Sequence, residues 1–133
     1  MTGDENCDTT AGMNASPRSY KDLLVWQKGI ELAKIVYRLT KNYPPEEKFG
    51  LIAQMRRAAV SIPSNLAEGQ ARHTTGEFIQ FISHAEGSAL DTQLILSIEL
   101  GFSTDAGAER AFDLIDELRR MLNVLRRKLS ARQ

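Results

Sequence analysis

The sequence predicts an all-α fold, an antiparallel up-down-up-down four-helix bundle, on three observations. Apolar residues recur three and four positions apart through four successive runs, the period of a helix with one buried face. The runs, of about 20–28 residues, are joined by short connections marked by proline or glycine, which set neighbouring helices antiparallel. No stretch alternates apolar and polar residues as a half-buried strand does, and no segment repeats.

The first helix is expected from Ser19 or Tyr20 to about Asn42, with Ser19 and Asp22 as its capping signal. Leu23, Trp26, Ile30, Ala33 and Tyr37, flanked by Val36 and Leu39, give it a broad apolar face. Tyr43-Pro44-Pro45 stops it, because proline lacks the amide donor and restricts the residue before it. Glu46 and Glu47 then suit the positive end of a second helix. Pro63 lies inside that helix, where a proline costs about 3 kcal/mol. Either the helix kinks at Pro63, or it ends near Ile62 and restarts with Asn65 and Glu68 as a capping box. Two stripes stay in phase across Pro63, which favours one kinked helix.

Thr74, Thr75 and Gly76 form a turn with capping hydroxyls, and a third helix is expected from about Thr75 to Leu100, ending at a left-handed Gly101. Phe78, Phe81, Ile82, Ala85, Leu90, Leu94, Ile95, Leu96 and Ile98 cover much of its circumference. A helix apolar nearly all round is buried by more than its own bundle, which points to an oligomer. Gly87, Ser88 and Ala89 form a small-residue patch where another helix can approach closely. Ser103 or Thr104 caps the last helix, about 104–131, whose stripe is Ala108, Ala111, Phe112, Ile115, Leu118, Leu122, Leu125 and Leu129.

A chain of 133 residues fits one domain. Residues 1–17, polar and aperiodic, read as a disordered leader, with 18–133 as the bundle domain and Met13 as an alternative start. Formal charge is zero, but the leader holds Asp4, Glu5 and Asp8 with no base. The single cysteine, Cys7, excludes an internal disulfide and fits a reducing compartment. No apolar run approaches the ~20 residues of a membrane span, and the start is unlike a signal peptide, so the cytoplasm is the expected location.

Two surfaces attract attention. Along the second helix, Gln54, Arg57, Ser61, Asn65, Glu68 and Arg72 form a polar ladder opposite Leu51, Met55, Ala58, Ile62, Leu66 and Gly69. The ladder either receives a partner or bonds across the bundle to Glu77, Asp91 or Glu99. Near the end of the last helix, Arg119, Arg120, Arg126 and Arg127 form a band beside the apolar stripe, and six bases follow Leu118 with no acid. Guanidinium groups so arranged suit phosphate contacts, predicting salt-sensitive RNA binding through Arg126 and Arg127. The plainer alternative is that bases favour the negative end of a helix.

Nothing here resembles reaction chemistry, so a non-enzymatic chain without cofactor is expected. His73 and His84 do not belong to the paired Glu-x-x-His motifs of a bundle metal site. Ser61 and Ser64 lack a nucleophile setting, and no glycine-rich phosphate loop occurs. Trp26, Tyr37 and Tyr43 read as packing residues rather than base-stacking platforms.

The words LLVWQKG (23–29), FGLIAQMRRAAVSIPSNLAEGQAR (49–72) and EFIQFISHAEGSALDTQ (77–93) resemble the bacterial four-helix-bundle family named for proteins encoded by intervening sequences in the large ribosomal RNA gene. The resemblance is strong over about residues 20–102. Its matching positions are Gln54, Arg56, Arg57, Ser61, Pro63, Asn65, Glu68, Gly69, Arg72, Glu77, Phe78, Gly87 and Ser88, none with a firm catalytic role. It implies a ring-like homopentamer. It also implies kinship with the basic accessory protein of diversity-generating retroelements, which engages a reverse transcriptase and nucleic acid. Two residues depart from the pattern: Glu86 stands where many relatives have a base, and Asp91 where a glutamate is common. The function expected is an oligomeric adaptor or scaffold for RNA or an RNA-handling protein; the alternative is a protein-interaction module with no nucleic-acid role.

Overall fold

Helical periodicity is realised along the chain. A computed structural model describes residues 20–86 and 89–132, and among these every regular element is helical. The α-helices are α1 (Leu24–Thr40), α2 (Leu51–Gln70), α3 (Thr75–Glu86), α4 (Leu90–Glu99) and α5 (Asp105–Ser130), with short 3-10 turns at Tyr20–Asp22 and Pro45–Glu47. The leader expected over 1–17, the Ser19 cap, and Gly87 and Ser88 of the small-residue patch lie outside the described residues.

Helix α1 starts later than its sequence predicts. Leu23 occupies the N-cap with no side-chain bond, and Asp22 belongs to the preceding 3-10 turn instead. Its buried stripe is also rotated. Val25, Gly29, Leu32, Ala33, Val36 and Thr40 go inward, while Tyr37 is 44 % exposed and Trp26 and Ile30 lie at the border. The reason is what α1 packs against. Gly29 lets α2 come so close that a Cβ there would sit 3.3 Å from Pro63 Cδ, and that contact fixes which stripe faces the core.

Helix α2 runs unbroken from Leu51 to Gln70 with Pro63 buried inside it, so the restart at Asn65 does not occur. Ser61 and Asn65 bond the local backbone instead: Ser61 Oγ donates to the Ala58 carbonyl (2.7 Å) and Asn65 Nδ2 to the Ser61 carbonyl (2.7 Å). Glu47 serves the N-terminus as its charge predicts, its Oε1 accepting from the Leu51 amide at 3.2 Å. Leu51, Met55, Ile62, Leu66 and Gly69 are buried as expected, with Ala59 taking the central place assigned to Ala58.

The helix expected over about 75–100 is divided into α3 and α4, with Ala89 as the N-cap of α4 (φ −92°, ψ 16°). Strong apolar periodicity on both sides of Ala89 hides this division in the sequence. The far end follows the expectation. Gly101 adopts φ +81°, its amide donates to Ile98 O (3.0 Å), and that of Phe102 to Ser97 O (2.8 Å). This is the paired cap that a left-handed glycine closes. Thr104, not Ser103, caps α5, its hydroxyl accepting from the Gly107 amide at 3.0 Å. Ser103 Oγ instead lies 2.8 Å from the Tyr43 hydroxyl, and Tyr43 packs on Phe102, joining two connections.

One core holds these helices together, with Leu32, Met55, Leu66, Ile82, Leu94, Leu114, Leu118 and Leu122 essentially inaccessible. Its buried hydroxyls are satisfied. Ser97 Oγ donates to Gln93 O (2.8 Å), and Thr40 Oγ1 donates to Val36 O (2.8 Å) while accepting from Arg56 Nε (2.9 Å). Among the described residues no helix is long and apolar enough to cross a membrane.

Candidate nucleic-acid interface

The arginine band of α5 divides into two kinds. Arg126 Nε donates to Glu86 Oε1 (2.9 Å), and its Nη2 to Glu86 Oε2 (3.4 Å) and Asn123 Oδ1 (2.8 Å). Arg119 pairs with Asp91 Oδ2 at 2.9 Å. These non-local partners clamp α5 to α3 and α4. Arg120 and Arg127 are exposed and make no ion pair among the described residues.

Burial alone would raise the Asp91 carboxyl, but the Arg119 hydrogen bond, the Thr92 amide and the Arg119 charge outweigh it and hold the pKa below its ordinary value. A carboxyl depressed on folding contributes stability above its unfolded pKa of about 4 and loses it as pH falls through the folded value. Asp91→Asn is therefore expected to cost about 0.5–1 kcal/mol at pH 7, a partly exposed pair being worth no more. The deficit relative to wild type should close below about pH 4. Thermal melts at pH 7 and at acid pH read this directly; a deficit independent of pH would show that the ion pair is not its source.

The polar ladder also divides. Arg72 Nη2 pairs with Glu68 Oε2 at 2.7 Å and lies over the Phe81 ring, 4.9 Å from its centroid. Ser61 and Asn65 are occupied by backbone bonds. The cross-bundle partners are thus not used as expected: Asp91 bonds Arg119, and Glu77 accepts from Thr74. Gln54 and Arg57 remain exposed. They border an open hollow of about 330 Å³ with Ser61, His84, Ala89 and Gln93. There Gln93 Oε1 is buried without a hydrogen-bond partner among the described residues.

A larger surface, not anticipated from the sequence, lies between α1 and α2. Two open hollows of about 590 and 480 Å³ share Tyr37, Arg56 and Val60. Lys34, Arg38, Lys41 and Arg56 line the first, and Lys48, Arg56 and Arg57 the second, with no acid among the described residues that line either. Arg56 is fixed by its bond to Thr40 and lies 4.5 Å over the Tyr37 ring. Phe49 is 89 % exposed, with Lys48 Nζ 5.6 Å from its centroid. Glu31, the one acid of α1, is held by Arg110 of α5 at 2.7 Å. Six cations with interleaved aromatic rings are the composition of a surface for a flexible polyanion. The sequence carried one signal: Lys34, Arg38 and Lys41 follow at four and three positions, a basic stripe flanking Tyr37. Reading Tyr37 as core concealed it.

Residues 21–124 match the family described as 23S rRNA-intervening sequence protein. The chain belongs to that family. The match spans the described helices through most of α5, including the part of the last helix where the motif words give no guide. No curated protein matches the chain. Among the described residues of this intervening-sequence protein, no group of three or more His, Cys, Asp or Glu gathers to hold a metal ion. The partly open pocket beside Asp91 and Arg119 is small, about 20 Å³, room for about one water molecule.

Proposed function

We propose that this intervening-sequence protein is a non-enzymatic, cytoplasmic adaptor that assembles with itself and holds RNA through the α1–α2 surface. The observation that carries this is the lining of the two joined hollows, which among the described residues holds six cations, exposed aromatic rings and no acid. The family name, which ties its members to intervening sequences of 23S rRNA, supports an RNA context. Self-association, as a homopentamer in our reading, is supported by Ile95, Leu96 and Leu100, about half exposed on and just after α4. Large apolar groups grouped on a surface mark contacts with another chain. The scaffold in this reading is an antiparallel bundle with α2 kinked at Pro63; Gly29 meeting Pro63 while Thr40 meets Arg56 supports the antiparallel sense, and Pro63 standing inside α2 supports the kink.

Solution mass by light scattering, on nuclease-treated and untreated protein from the same cells, tests both halves. We expect an oligomer of about five subunits whose untreated form carries nucleic acid, released by raising salt because phosphate contacts release counterions. A monomer would remove the assembly, and identical mass and absorbance in the two samples would remove the RNA. A protein-interaction module is the second reading, favoured by the unpartnered Gln93 Oε1 beside Gln54 and Arg57. A single protein retained after nuclease treatment, and lost on Gln54→Ala, would establish it.

A further inference from the structure

Cations alone accept any polyanion, but this surface also carries flat apolar groups that charge does not explain. Phe49 is the most exposed large apolar side chain among the described residues, at 89 %. It lines the same hollow as Lys48, Arg56 and Arg57. Tyr37 and Arg56 line both hollows as a preformed stack, the guanidinium 4.5 Å over the ring and anchored at 2.9 Å to the buried Thr40 hydroxyl. A double helix offers phosphates but keeps its base faces stacked inside, so such rings gain nothing from it. Unpaired bases stack on aromatic rings and on guanidinium planes, with little regard to sequence.

We infer that the α1–α2 surface takes single-stranded nucleic acid, with unpaired bases stacked on Phe49 and on the Tyr37–Arg56 pair and phosphates held by Lys34, Arg38 and Lys41. The inference rests on the RNA reading above and adds the class of strand. Phe49 makes the cleaner variant, since its side chain supports almost nothing else in the fold.

The test compares full-length wild type, Phe49→Ala and Phe49→Trp against a labelled oligouridylate of about 20 nucleotides and an RNA duplex of the same length. We expect the single strand to bind about tenfold tighter than the duplex or better. Phe49→Ala should weaken single-strand binding about five- to a hundredfold and leave the duplex unchanged. Phe49→Trp should bind the single strand as wild type does, with its new indole fluorescence quenched on binding. Equal affinity for both probes, or a Phe49→Ala loss equal for both, overturns the inference while leaving RNA binding intact. Displacement of the oligouridylate by polyglutamate of equal charge overturns it in favour of an acidic peptide. A fall in oligomer mass in Phe49→Ala overturns it by making Phe49 a subunit contact. Absence of salt-sensitive binding to either probe overturns the RNA reading itself.

Discussion

Gly69→Val is expected to destabilise the protein by about 3 kcal/mol or more, lowering its melting temperature by more than about 10 °C. Gly69 lies in the last turn of α2, where α3 crosses it. A Cβ at this position would stand 2.8 Å from both Phe78 Cδ1 and Phe81 Cβ. The first atom belongs to a ring that can swing. The second is fixed to the backbone of α3, so relief requires the helices to part. Overpacking of this kind costs about 1–3 kcal/mol for added methylenes, and a β-branched residue adds stiffness against the preceding turn. Gly69→Ala places one atom in the same clash but gains about 1 kcal/mol of helix propensity, so a smaller loss is expected. Gly29→Ala provides the control. Its Cβ meets Pro63 Cδ at 3.3 Å, a tight contact that a few tenths of an ångström relieve. Melts should be run at one protein concentration, since self-association makes the midpoint concentration-dependent. Wild-type stability in Gly69→Val would mean that α2 and α3 do not approach this closely.

That close approach was half legible in the sequence. Gly69 falls on the apolar stripe of α2, and a glycine there announces contact without saying with what. The helices were legible for a simple reason: α2 and α5 each bury one stripe set by local spacing, and Gly101 and Thr104 mark the end of α4 and the start of α5 by local chemistry. Helix α1 was misread because its apolar residues span a wide arc, and only the contact at Pro63 decides which part of the arc turns inward. Leaving Tyr37 outside creates the groove. The long-range ion pairs were illegible for a related reason. Arg126 has no acid within a helical turn, and its partner Glu86 lies 40 positions away. The surface on which the functional reading rests is likewise assembled from residues separated along the chain, Lys34 to Arg57, and beyond the Lys34, Arg38 and Lys41 stripe no local pattern connects them.

Two sets of arginines and lysines therefore compete for the same proposed role, and charge reversal separates them. Lys34→Glu with Arg38→Glu is expected to weaken RNA binding on the order of a hundredfold near 0.1 M salt and to flatten the dependence of affinity on salt. Each lost phosphate contact removes about 0.7 from that logarithmic slope for a single strand, so the pair should lower it by about 1.4. Both side chains are exposed and without an ion-pair partner among the described residues, so the fold should tolerate the change. Arg120→Glu with Arg127→Glu is the matched variant on α5: the same charge change, equally exposed, and without disturbing the Arg119–Asp91 and Arg126–Glu86 clamps. It should weaken binding only a few-fold, through the field that every charge contributes. Using Arg126 in its place would confuse the result, because losing a side chain with three hydrogen bonds loosens α5 from α3 before any RNA is added. A large loss on α5 with none at the groove would move the site to the arginine band. Equal modest losses in both variants would show a diffuse positive field with no site at all.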